Sequence, residues 1–343
     1  MTALVTGGTG FLGRSVVAGL LADGWRVRCL VRVGSSVRPV RDAAPDGSAE
    51  RLEFFEGNLG DPASCAAAVA GCTHIFHLAA EMRGATAVLF LTNVVGSRNL
   101  LDAAVQAGVE RFVLVSSLAV YDSGRLRRGD CLDETCPIEP QPHLRDAYTY
   151  SKVVQEQVAW EAHRVRGLPL AVIRPGVIYG PGRDCLSGRV GLVVGKYVLA
   201  MGGRQTMPYT HVANCARAVV LAGTAPNAVG RAVNVIDDET PTGRGLLKAY
   251  RRAVGGVRSV TVPGALVPVL SGLYEWYNRR SRGQLPAVLT RYRSRAMWTP
   301  LRYSNAEAKA VLGWRPEKTV ADGLHETFDW LNRQKKVATT ATG

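Results

Sequence analysis

The chain has 343 residues, of which 47% are hydrophobic and 20% charged, so it can form one large or two ordinary domains with a full core. Its net charge of +14 raises the question of nucleic-acid binding, but the arginines are spread along the chain and no helix-turn-helix, zinc-finger or RNA-binding signature focuses them. We therefore expect no nucleic-acid partner.

Length and cysteine content together predict a cytoplasmic location. No stretch reaches the length of a membrane-spanning helix, and the first apolar strand begins at residue 3, which leaves no space for a signal sequence. The seven cysteines are an odd number without paired metal-ligand spacing, so we expect thiols and no metal site. The arginine-rich segment 279–302 is expected to be a solvated face, which leaves weak association with an anionic substrate or a membrane surface open.

The first thirteen residues predict a strand, a tight glycine turn and a helix. A short apolar run, 3–5, stands directly before Gly7, Gly10 and Gly13, and an amphipathic stretch follows. Glycines at such points let backbone N–H groups approach a pyrophosphate, and the helix offers its positive end to the phosphates. A second apolar strand, 25–31, lies at the distance that a βαβ unit requires. The sequence therefore predicts a dinucleotide site here.

The end of the second strand indicates which dinucleotide binds. An acid there would accept a hydrogen bond from the ribose 2′-hydroxyl of NAD, whereas a basic residue accommodates the 2′-phosphate of NADP. Arg32 stands at this point, and Ser35 and Ser36 follow as further donors. We therefore expect a preference for NADP(H) over NAD(H). The alternative is that Arg32 is an ordinary surface residue at a strand end.

Apolar strands and helical stretches alternate through the first half of the chain. Strands are predicted at 52–55, 75–80 and 112–115, and a helix at 92–106. Because the strands are apolar throughout, both faces of their sheet must be covered, which is typical of a doubly wound parallel α/β sheet of the Rossmann type. After the third strand, Asn58 is placed to hydrogen-bond an adenine and Leu59 to pack against it. His77 is interpreted as a packed strand residue.

The stretch between residues 117 and 152 carries the residue types that proton transfer needs. Asp146 opens a helix in which Tyr148 and Lys152, four residues apart, share one face, whereas Tyr150 points elsewhere. A free phenol has a pKa of about 10, and a nearby ammonium favours its phenolate, which makes Tyr148 a usable acid or base. Ser117 ends a neighbouring strand, where ligands of such sheets bind, and can hold a substrate oxygen.

With these motifs in this order, the chain resembles the extended short-chain dehydrogenase/reductase family over almost its whole length. The segments that carry the resemblance are 6–13, 76–80, 93–96, 116–121, 148–152 and 174–182. The resemblance implies that Ser117, Tyr148 and Lys152 form the catalytic set. Ser117 is preferred to Ser116 because it stands four residues before Tyr121, as the catalytic serine does in similar sequences.

The resemblance also completes the expected cofactor site. It implies that the backbone of Pro175 and Gly176 lies beside the nicotinamide, and that Asn93 supports the site from the helix behind it. The full expected set is Gly7, Gly10, Phe11, Leu12, Gly13, Arg32, Asn58, Leu59, Ala79, Ala80, Asn93, Tyr148, Lys152, Pro175, Gly176 and Val177.

The second half of the chain is expected to add a smaller, mainly helical substrate domain, which in similar proteins forms a lid. Helices are predicted at 188–200, 210–222 and 320–330, and a returning strand at 232–236. His211 is assigned a packing role at the foot of its helix. The expected units are a dinucleotide-binding Rossmann domain of 1–178 with 209–237, a substrate-binding lid domain of 179–208 with 238–334, and a disordered tail at 335–343.

Three features bear on the substrate. Similar sugar-nucleotide dehydratases carry an acidic pair after the serine, whereas Leu118 and Ala119 stand here, so dehydration is not expected. The segments 262–277, 289–292 and 298–304 resemble those of 3β-hydroxysteroid-dehydrogenase-like reductases, which act on apolar ketones or secondary alcohols, although their aromatic residues fit an ordinary core equally well. The arginine excess would instead suit an anionic substrate such as a nucleotide sugar or a coenzyme A thioester.

We therefore favour an NADP(H)-dependent ketoreductase or alcohol dehydrogenase for a mainly apolar, biosynthetic small molecule. One alternative is a nucleotide-sugar epimerase, which would keep its cofactor bound and consume none. Another is a non-catalytic protein that senses NADP, although such a protein has no need of the complete set of Ser117, Tyr148 and Lys152. The resemblance further implies a homodimer that forms through helices near 93–106 and 151–165.

Overall fold

The computed structural model describes residues 1–194, 197–201, 203, 205–281 and 289–341. The strands are β1 (Thr2–Thr6), β2 (Arg26–Val31), β3 (Leu52–Glu56), β4 (His74–His77), β5 (Arg111–Val115), β6 (Cys131–Leu132), β7 (Leu170–Pro175), β8 (Val177–Tyr179), β9 (Gly191–Val194), β10 (Tyr197–Ala200), β11 (Tyr209–His211), β12 (Arg231–Val235), β13 (Arg258–Thr261) and β14 (Arg302–Tyr303). The α-helices are α1 (Phe11–Ala22), α2 (Arg38–Arg41), α3 (Pro62–Val69), α4 (Thr86–Phe90), α5 (Gly96–Ala107), α6 (Ala147–Arg166), α7 (Val212–Thr224), α8 (Gly243–Ala253), α9 (Val267–Arg280), α10 (Arg291–Trp298), α11 (Ala306–Leu312) and α12 (Val320–Ala341).

A parallel sheet of seven strands in the order β3-β2-β1-β4-β5-β7-β12 forms the centre of the described part of the chain. Helices α1 and α7 cover one face and enclose one apolar core, while α3, α5 and α6 cover the other and enclose a second. Strand β5 is consequently buried along its whole length. This confirms the predicted doubly wound Rossmann sheet, because apolar strands of this kind need cover on both faces.

The strand order reverses between β1 and β4, which are neighbours although β2 and β3 lie between them in the sequence. In the register of the sheet, Thr6 at the end of β1 stands beside both Leu30 and His77. The glycine turn and the segment after β4 therefore emerge at the same edge. In open parallel sheets, ligands bind in the crevice that such a reversal leaves at the carboxyl ends of the strands.

Two predicted boundaries around β4 were wrong. The strand ends at His77 rather than at residue 80, because the chain there bends over the glycine turn and the backbone N–H of Ala79 donates to Thr6 Oγ1 (3.2 Å). The helix predicted from residue 92 begins at Thr86 and passes through a π-helical turn, Leu91–Val95, before α5. Such turns widen a helix locally and are frequent at functional sites.

The helix predicted at 188–200 was also wrong, because β9 and β10 form an antiparallel pair in this region. Strand β10 also pairs with β13, so the three strands form a second sheet. Val198 and Ala200 are buried while Tyr197 is exposed, which is the alternation of a strand with one covered face. Valine-rich segments of this length favour strands once a partner strand is available, and the partner β13 comes from a distant part of the chain.

The C-terminal part packs α8 and α12 against the small sheet. Leu246, Tyr250 and Phe328 belong to the apolar core between them. Helix α12 continues to Ala341, so the prediction of a disordered tail from Lys335 was wrong for the described residues up to 341, and residues 342–343 lie outside them. Lys335 Nζ donates to the carbonyl of Val254 (2.8 Å), which fixes the helix beyond its apolar part. Among the described residues, no helix is long and apolar enough to cross a membrane.

Candidate functional site

The turn between β1 and α1 has the geometry that an approaching phosphate requires. Gly7 has a backbone φ of 71°, and its carbonyl accepts a hydrogen bond from Gly10 (2.9 Å). A side chain at Gly13 would place its Cβ 2.0 Å from that carbonyl oxygen, so only glycine lets helix and turn pack together. Helix α1 has no side-chain cap and no acid in its first turn, which leaves its N–H groups for an anion. These residues fit a dinucleotide pyrophosphate.

Two arginines outside the predicted cofactor site stand beside this turn. The guanidinium carbons of Arg14 and Arg183 lie 5.6 and 5.8 Å from the centre of the Phe11 ring. Arg14 also donates to the carbonyl of Pro181 (3.1 Å), which ties α1 to the segment after β8. No sequence signal linked Arg183 to the turn, because the two are far apart in the chain and meet only through the fold.

The adjacent serines after β5 have different partners. Ser116 Oγ donates to Glu156 Oε2 (2.6 Å) inside the protein. Ser117 Oγ accepts a hydrogen bond from the backbone N–H of Ala119 (3.1 Å) and stands near the phenol of Tyr148, whose pKa it lowers. The structure thus gives a physical reason to prefer Ser117, because Ser116 is already occupied by a buried carboxylate.

Tyr148 lies in the first turn of α6, where it faces Ser117. Asp146 caps this helix by accepting from the backbone of Thr149 (2.8 Å), which fixes the start of the helix and hence the position of Tyr148. Burial raises the pKa of Tyr148 above its ordinary value, and the nearby Ser117 and the charge of Arg183 oppose that shift without cancelling it.

Tyr150, two residues further along α6, faces away from Ser117. Its ring packs edge-on against Phe90, with ring centres 4.7 Å apart, and against His143, with centres 6.3 Å apart. This agrees with the prediction that Tyr150 points elsewhere.

Lys152 is only 2% exposed and is turned toward the sheet. Its Nζ donates to the carbonyl of Val115 (2.8 Å) and to Gln155 Oε1 (2.7 Å), and no hydrogen bond among the described residues joins it to Tyr148. Burial lowers the pKa of Lys152 to about 7, and the negative charge of Glu156 opposes this shift. A buried ammonium needs such acceptors because it has lost its water.

A buried polar network connects Lys152 to the glycine turn. Gln155 Nε2 donates to Ser97 Oγ (2.7 Å), Ser97 Oγ lies 2.7 Å from His77 Nε2, and His77 Nδ1 lies 2.6 Å from Thr6 Oγ1. Burial, with the positive charge of Lys152, lowers the pKa of His77 to about 3, so the imidazole is neutral. His77 is a packed strand residue as predicted. Its two ring nitrogens also join β1 to the helices, through Thr6 on one side and Ser97 on the other. The sequence offered no signal for Gln155.

A second buried network fixes α6 to the sheet. Glu156 forms an ion pair with Arg174, whose Nη1 donates to Tyr121 Oη (2.7 Å), and Tyr121 Oη in turn donates to Asn234 Oδ1 (2.9 Å). The network therefore spans α6, β7 and β12 together with the segment after Ser117. Breaking a buried pair by removing one partner typically costs about 3–5 kcal/mol, because the other charge stays behind without compensation.

Asn93 supports the cleft from the π-helical turn. Its side chain accepts from the backbone of Glu81 (2.7 Å), donates to the carbonyl of the same residue (2.9 Å) and donates to Ser151 Oγ (2.9 Å). It thereby joins the segment that contains Ala79 and Ala80 to α6. His211 is buried and accepts from the backbone of Ala213 (3.4 Å) at the start of α7, in keeping with its assigned packing role.

The remaining residues expected around the cofactor lie at the same edge of the sheet. Pro175 ends β7, and a Cβ at Gly176 would lie 2.0 Å from the carbonyl oxygen of Pro208, to which Val177 donates (2.6 Å). Asn58 Oδ1 accepts from the backbone of Gly60 (2.9 Å).

Two further expected residues lie at the ends of β2 and β3. The carbonyl of Leu59 accepts from Asn99 Nδ2 (2.8 Å), which holds the segment after β3 against α5. Arg32 is exposed after β2 and pairs with no carboxylate among the described residues. Its side chain is therefore available to an anion from solution.

Comparisons with known proteins agree with this arrangement. The signature of the NAD dependent epimerase/dehydratase family matches residues 3–235. The 3 beta-hydroxysteroid dehydrogenase/Delta 5-->4-isomerase of Mycobacterium tuberculosis is 32% identical over 358 aligned positions, which cover 95% of this chain and 89% of that protein. Cinnamoyl-CoA reductase 1 of Petunia hybrida is 31% identical over 233 residues, which cover 66% of this chain and 70% of that protein.

Solved structures share the fold over nearly the whole chain. The UDP-glucose 4-epimerase of Thermus thermophilus, solved in complex with NAD, superposes with a TM-score of 0.69 at 27% identity and covers 96% of this chain and 99% of its own. The matched family region contains the glycine turn together with Ser117, Tyr148 and Lys152. The chain therefore belongs to the NAD-dependent epimerase/dehydratase family and is an NAD(P)-dependent enzyme of the extended short-chain dehydrogenase/reductase type.

Proposed function

We propose that the protein is an NADP(H)-dependent ketoreductase or alcohol dehydrogenase. The observation that carries the proposal is the contact between Ser117 and Tyr148 at the carboxyl edge of the sheet, beside a glycine turn that fits a pyrophosphate. A phenol paired with a hydroxyl at this place can exchange a proton with a substrate oxygen while the hydroxyl positions that oxygen. The dinucleotide, when bound, supplies or accepts the hydride.

Each residue of the proposed set has a distinct task. Ser117 orients the substrate oxygen, and Tyr148 donates its phenolic proton to that oxygen in reduction or takes one in oxidation. The positive charge of Arg183 favours the phenolate of Tyr148 and so opposes the burial that raises the pKa of this phenol. Lys152 holds the cofactor ribose while Gln155 and the carbonyl of Val115 fix its position.

The proposed preference for NADP(H) rests on Arg32. Its guanidinium is exposed at the end of β2, where the ribose of a bound dinucleotide would lie, and Ser35 and Ser36 stand near it in sequence. A 2′-phosphate at this position would gain charge-assisted hydrogen bonds, whereas no acid follows the strand to accept from a 2′-hydroxyl.

The proposed substrate is a mainly apolar ketone or secondary alcohol. Relatives named for a 3 beta-hydroxysteroid dehydrogenase and for a sterol-4-alpha-carboxylate 3-dehydrogenase align along 95% and 96% of this chain, including the C-terminal half that would cover the substrate. Leu118 and Ala119 follow Ser117, so no carboxylate stands there for elimination chemistry.

The first prediction concerns Tyr148→Phe. We expect kcat to fall by at least roughly a hundredfold, because the proton donor is lost, while the affinity for NADPH is kept. The measurement follows oxidation of NADPH and of NADH with a panel of steroid, polyketide and nucleotide-sugar carbonyls, together with a fluorescence titration of NADPH. Tyr150→Phe is the matched control, because it removes a hydroxyl from the same helix on the face away from Ser117. Full turnover by Tyr148→Phe would contradict the mechanism.

A nucleotide-sugar epimerase is the second candidate, since solved epimerases share the fold along the whole chain. It predicts interconversion of two sugar nucleotides with the cofactor retained and no net change in NADPH or NADH. A third candidate, an NADP-sensing protein without activity, predicts binding of NADPH and no turnover with any member of the panel.

We also propose the domain division and the dimer that the sequence suggested. The seven-stranded sheet is built from β1–β5, β7 and β12, whereas β9, β10 and β13 form the separate small sheet, which supports a Rossmann domain of 1–178 with 209–237 and a lid of 179–208 with 238–334. The exposed side chains of Val88, Leu91 and Val95 give the helix before α5 an apolar stripe, which supports a homodimer through this helix and α6.

A further inference from the structure

Helix α9 presents its apolar side to solvent. Leu273, Trp276 and Tyr277 are 59%, 64% and 52% exposed, and Val269 and Leu270 on the preceding turn are exposed as well. These residues follow the spacing of three and four that places side chains on one face of a helix.

The opposite face of α9, which is packed against the protein, contains one buried apolar residue, Val267, and otherwise small or polar residues. Ser271 is fully buried, donates to the carbonyl of Val267 (2.8 Å), and its Oγ lies 2.7 Å from Ser294 Oγ of α10. The guanidinium of Arg291 lies against Gly272, where a Cβ would be 2.4 Å from it. The usual arrangement of a surface helix is thus inverted, because the more apolar face of α9 points outward.

The sequence segment that contains this face is strongly basic. Between residues 262 and 302 the chain carries one acid, Glu275, and seven arginines, which are Arg279, Arg280, Arg282, Arg291, Arg293, Arg295 and Arg302. Arg279, Arg280 and Arg295 are exposed and pair with no carboxylate in the described part of the chain. Tryptophan, tyrosine and leucine next to unneutralised arginines are the composition of helices that lie in the interface of an anionic bilayer.

The helix is connected to the part of the molecule that contains Ser117. Helix α10, on which α9 packs, accepts a hydrogen bond from Ser123 at the carbonyl of Ala296 (3.0 Å) and donates from Trp298 to the carbonyl of Gly188 (3.1 Å). Ser123 follows Ser117 by six residues in the segment after β5. These bonds link α9, through α10, to the segment that leads from Ser117.

We propose that α9, with its exposed apolar face and the arginines beside it, docks the protein on the surface of an anionic lipid membrane. The aliphatic and aromatic side chains enter the boundary between headgroups and acyl chains, and the arginines contact the lipid phosphates. Charge favours an anionic lipid surface over a second copy of the chain at this face. A second copy would bring an equally basic segment against the face and would be repelled. The proposal is independent of the catalytic assignment, since it concerns binding to vesicles and requires no turnover.

The experiment is sedimentation of the purified protein with vesicles of phosphatidylcholine alone and of phosphatidylcholine mixed with phosphatidylglycerol. We expect binding to the anionic vesicles, little binding to the neutral ones, and release by high salt, because salt screens the arginines. The double variant Arg279→Glu/Arg280→Glu should lose more than about tenfold in partitioning, since each basic residue near an anionic surface contributes roughly a fivefold factor. Arg252→Glu, an exposed arginine on α8, is the matched control and should lose much less.

The apolar face is tested separately from the charge. Leu273→Glu should abolish vesicle binding, whereas Val337→Glu, at a similarly exposed position on α12, should leave most of it. A blue shift of tryptophan emission on binding should be missing in Trp276→Phe, which keeps an aromatic ring. Circular dichroism shows that each variant is folded.

Three outcomes would overturn the proposal. One is equal binding to neutral and anionic vesicles, and another is vesicle binding that Leu273→Glu leaves unchanged. The third is that the wild-type protein does not bind vesicles and that Leu273→Glu alters its oligomeric state. That result would assign the face to a second copy of the chain. A loss of enzymatic activity in Tyr148→Phe has no bearing on these results, so failure of the docking surface and failure of the proposed function are distinguishable.

Discussion

Burial of Lys152 lowers the free energy of unfolding by an amount that depends on pH. Its ammonium is buried with two acceptors, the carbonyl of Val115 and the amide oxygen of Gln155, and its pKa is lowered to about 7. In the unfolded chain the pKa of lysine is about 10.4. Between these two values the unfolded state binds a proton that the folded state lacks, so the free energy of unfolding must rise with pH over this range.

We predict that Lys152→Met removes this pH dependence. Relative to the variant, the wild-type free energy of unfolding should rise by about 2 kcal/mol from about pH 7 to about pH 9, since each pKa unit corresponds to about 1.4 kcal/mol. Urea unfolding of both proteins at the two pH values measures it. Cysteine thiols also titrate in this range, but they are the same in both proteins and cancel in the difference. If the free energy of unfolding changed by the same amount in both proteins between the two pH values, Lys152 would be fully protonated in the folded protein.

At the scale of elements, the β1–turn–α1 unit depends on close backbone approach. Gly7 adopts a left-handed conformation, and Gly13 packs so tightly on its carbonyl that no Cβ fits. The same approach that excludes side chains leaves the N–H groups of α1 open to phosphates. Packing and binding therefore require the same glycines.

Gly13→Ala is predicted to impair both the fold and cofactor binding. The new Cβ must push α1 away from the turn, so we expect a loss of stability of about 1–3 kcal/mol, as overpacking commonly costs, and a large loss of NADPH affinity. Thermal unfolding and a fluorescence titration measure the two effects. Gly264→Ala is the control, because a Cβ there meets no atom within 4 Å. NADPH affinity equal to that of the wild type would argue against a pyrophosphate at this turn.

The pair β9–β10 shows where an element depends on a distant partner. The sequence of this region predicts a helix, yet Val198 pairs with Val193 on one side and with Ser259 of β13 on the other. Valine occurs in both helices and strands, so pairing with the neighbouring strand, rather than local preference, makes this region a strand. Helix α6, in contrast, carries its own start signal in Asp146, and the prediction of its beginning was right.

Among the described residues, two helix faces each carry several exposed apolar side chains. One is the face of α9, and the other is the stripe of Val88, Leu91 and Val95 before α5. The second lies outside the arginine-rich segment, so it suits a second copy of the chain better than a lipid surface.

We predict that Leu91→Glu converts the proposed dimer into a monomer. Leu91 is 61% exposed, and a carboxylate in the middle of the stripe would be buried without a partner in the proposed interface. Analytical ultracentrifugation of wild type and variant measures the mass. Val229→Glu, an exposed valine next to β12, serves as the control and should leave the mass unchanged. A monomeric wild-type protein would refute the proposed dimer.

We could predict the doubly wound sheet, the glycine turn, the start of α6 and the family from the amino-acid sequence alone. These features depend on local patterns of consecutive residues, namely apolar strands, glycine spacing and a helix cap. Only the folded structure shows the partners of Ser116, Arg183 and Gln155, the strand pair β9–β10, the extension of α12 and the outward apolar face of α9. Each of these depends on contacts between residues far apart in the chain, because burial, strand pairing and the charge of a neighbouring side chain exist only once the elements have packed together.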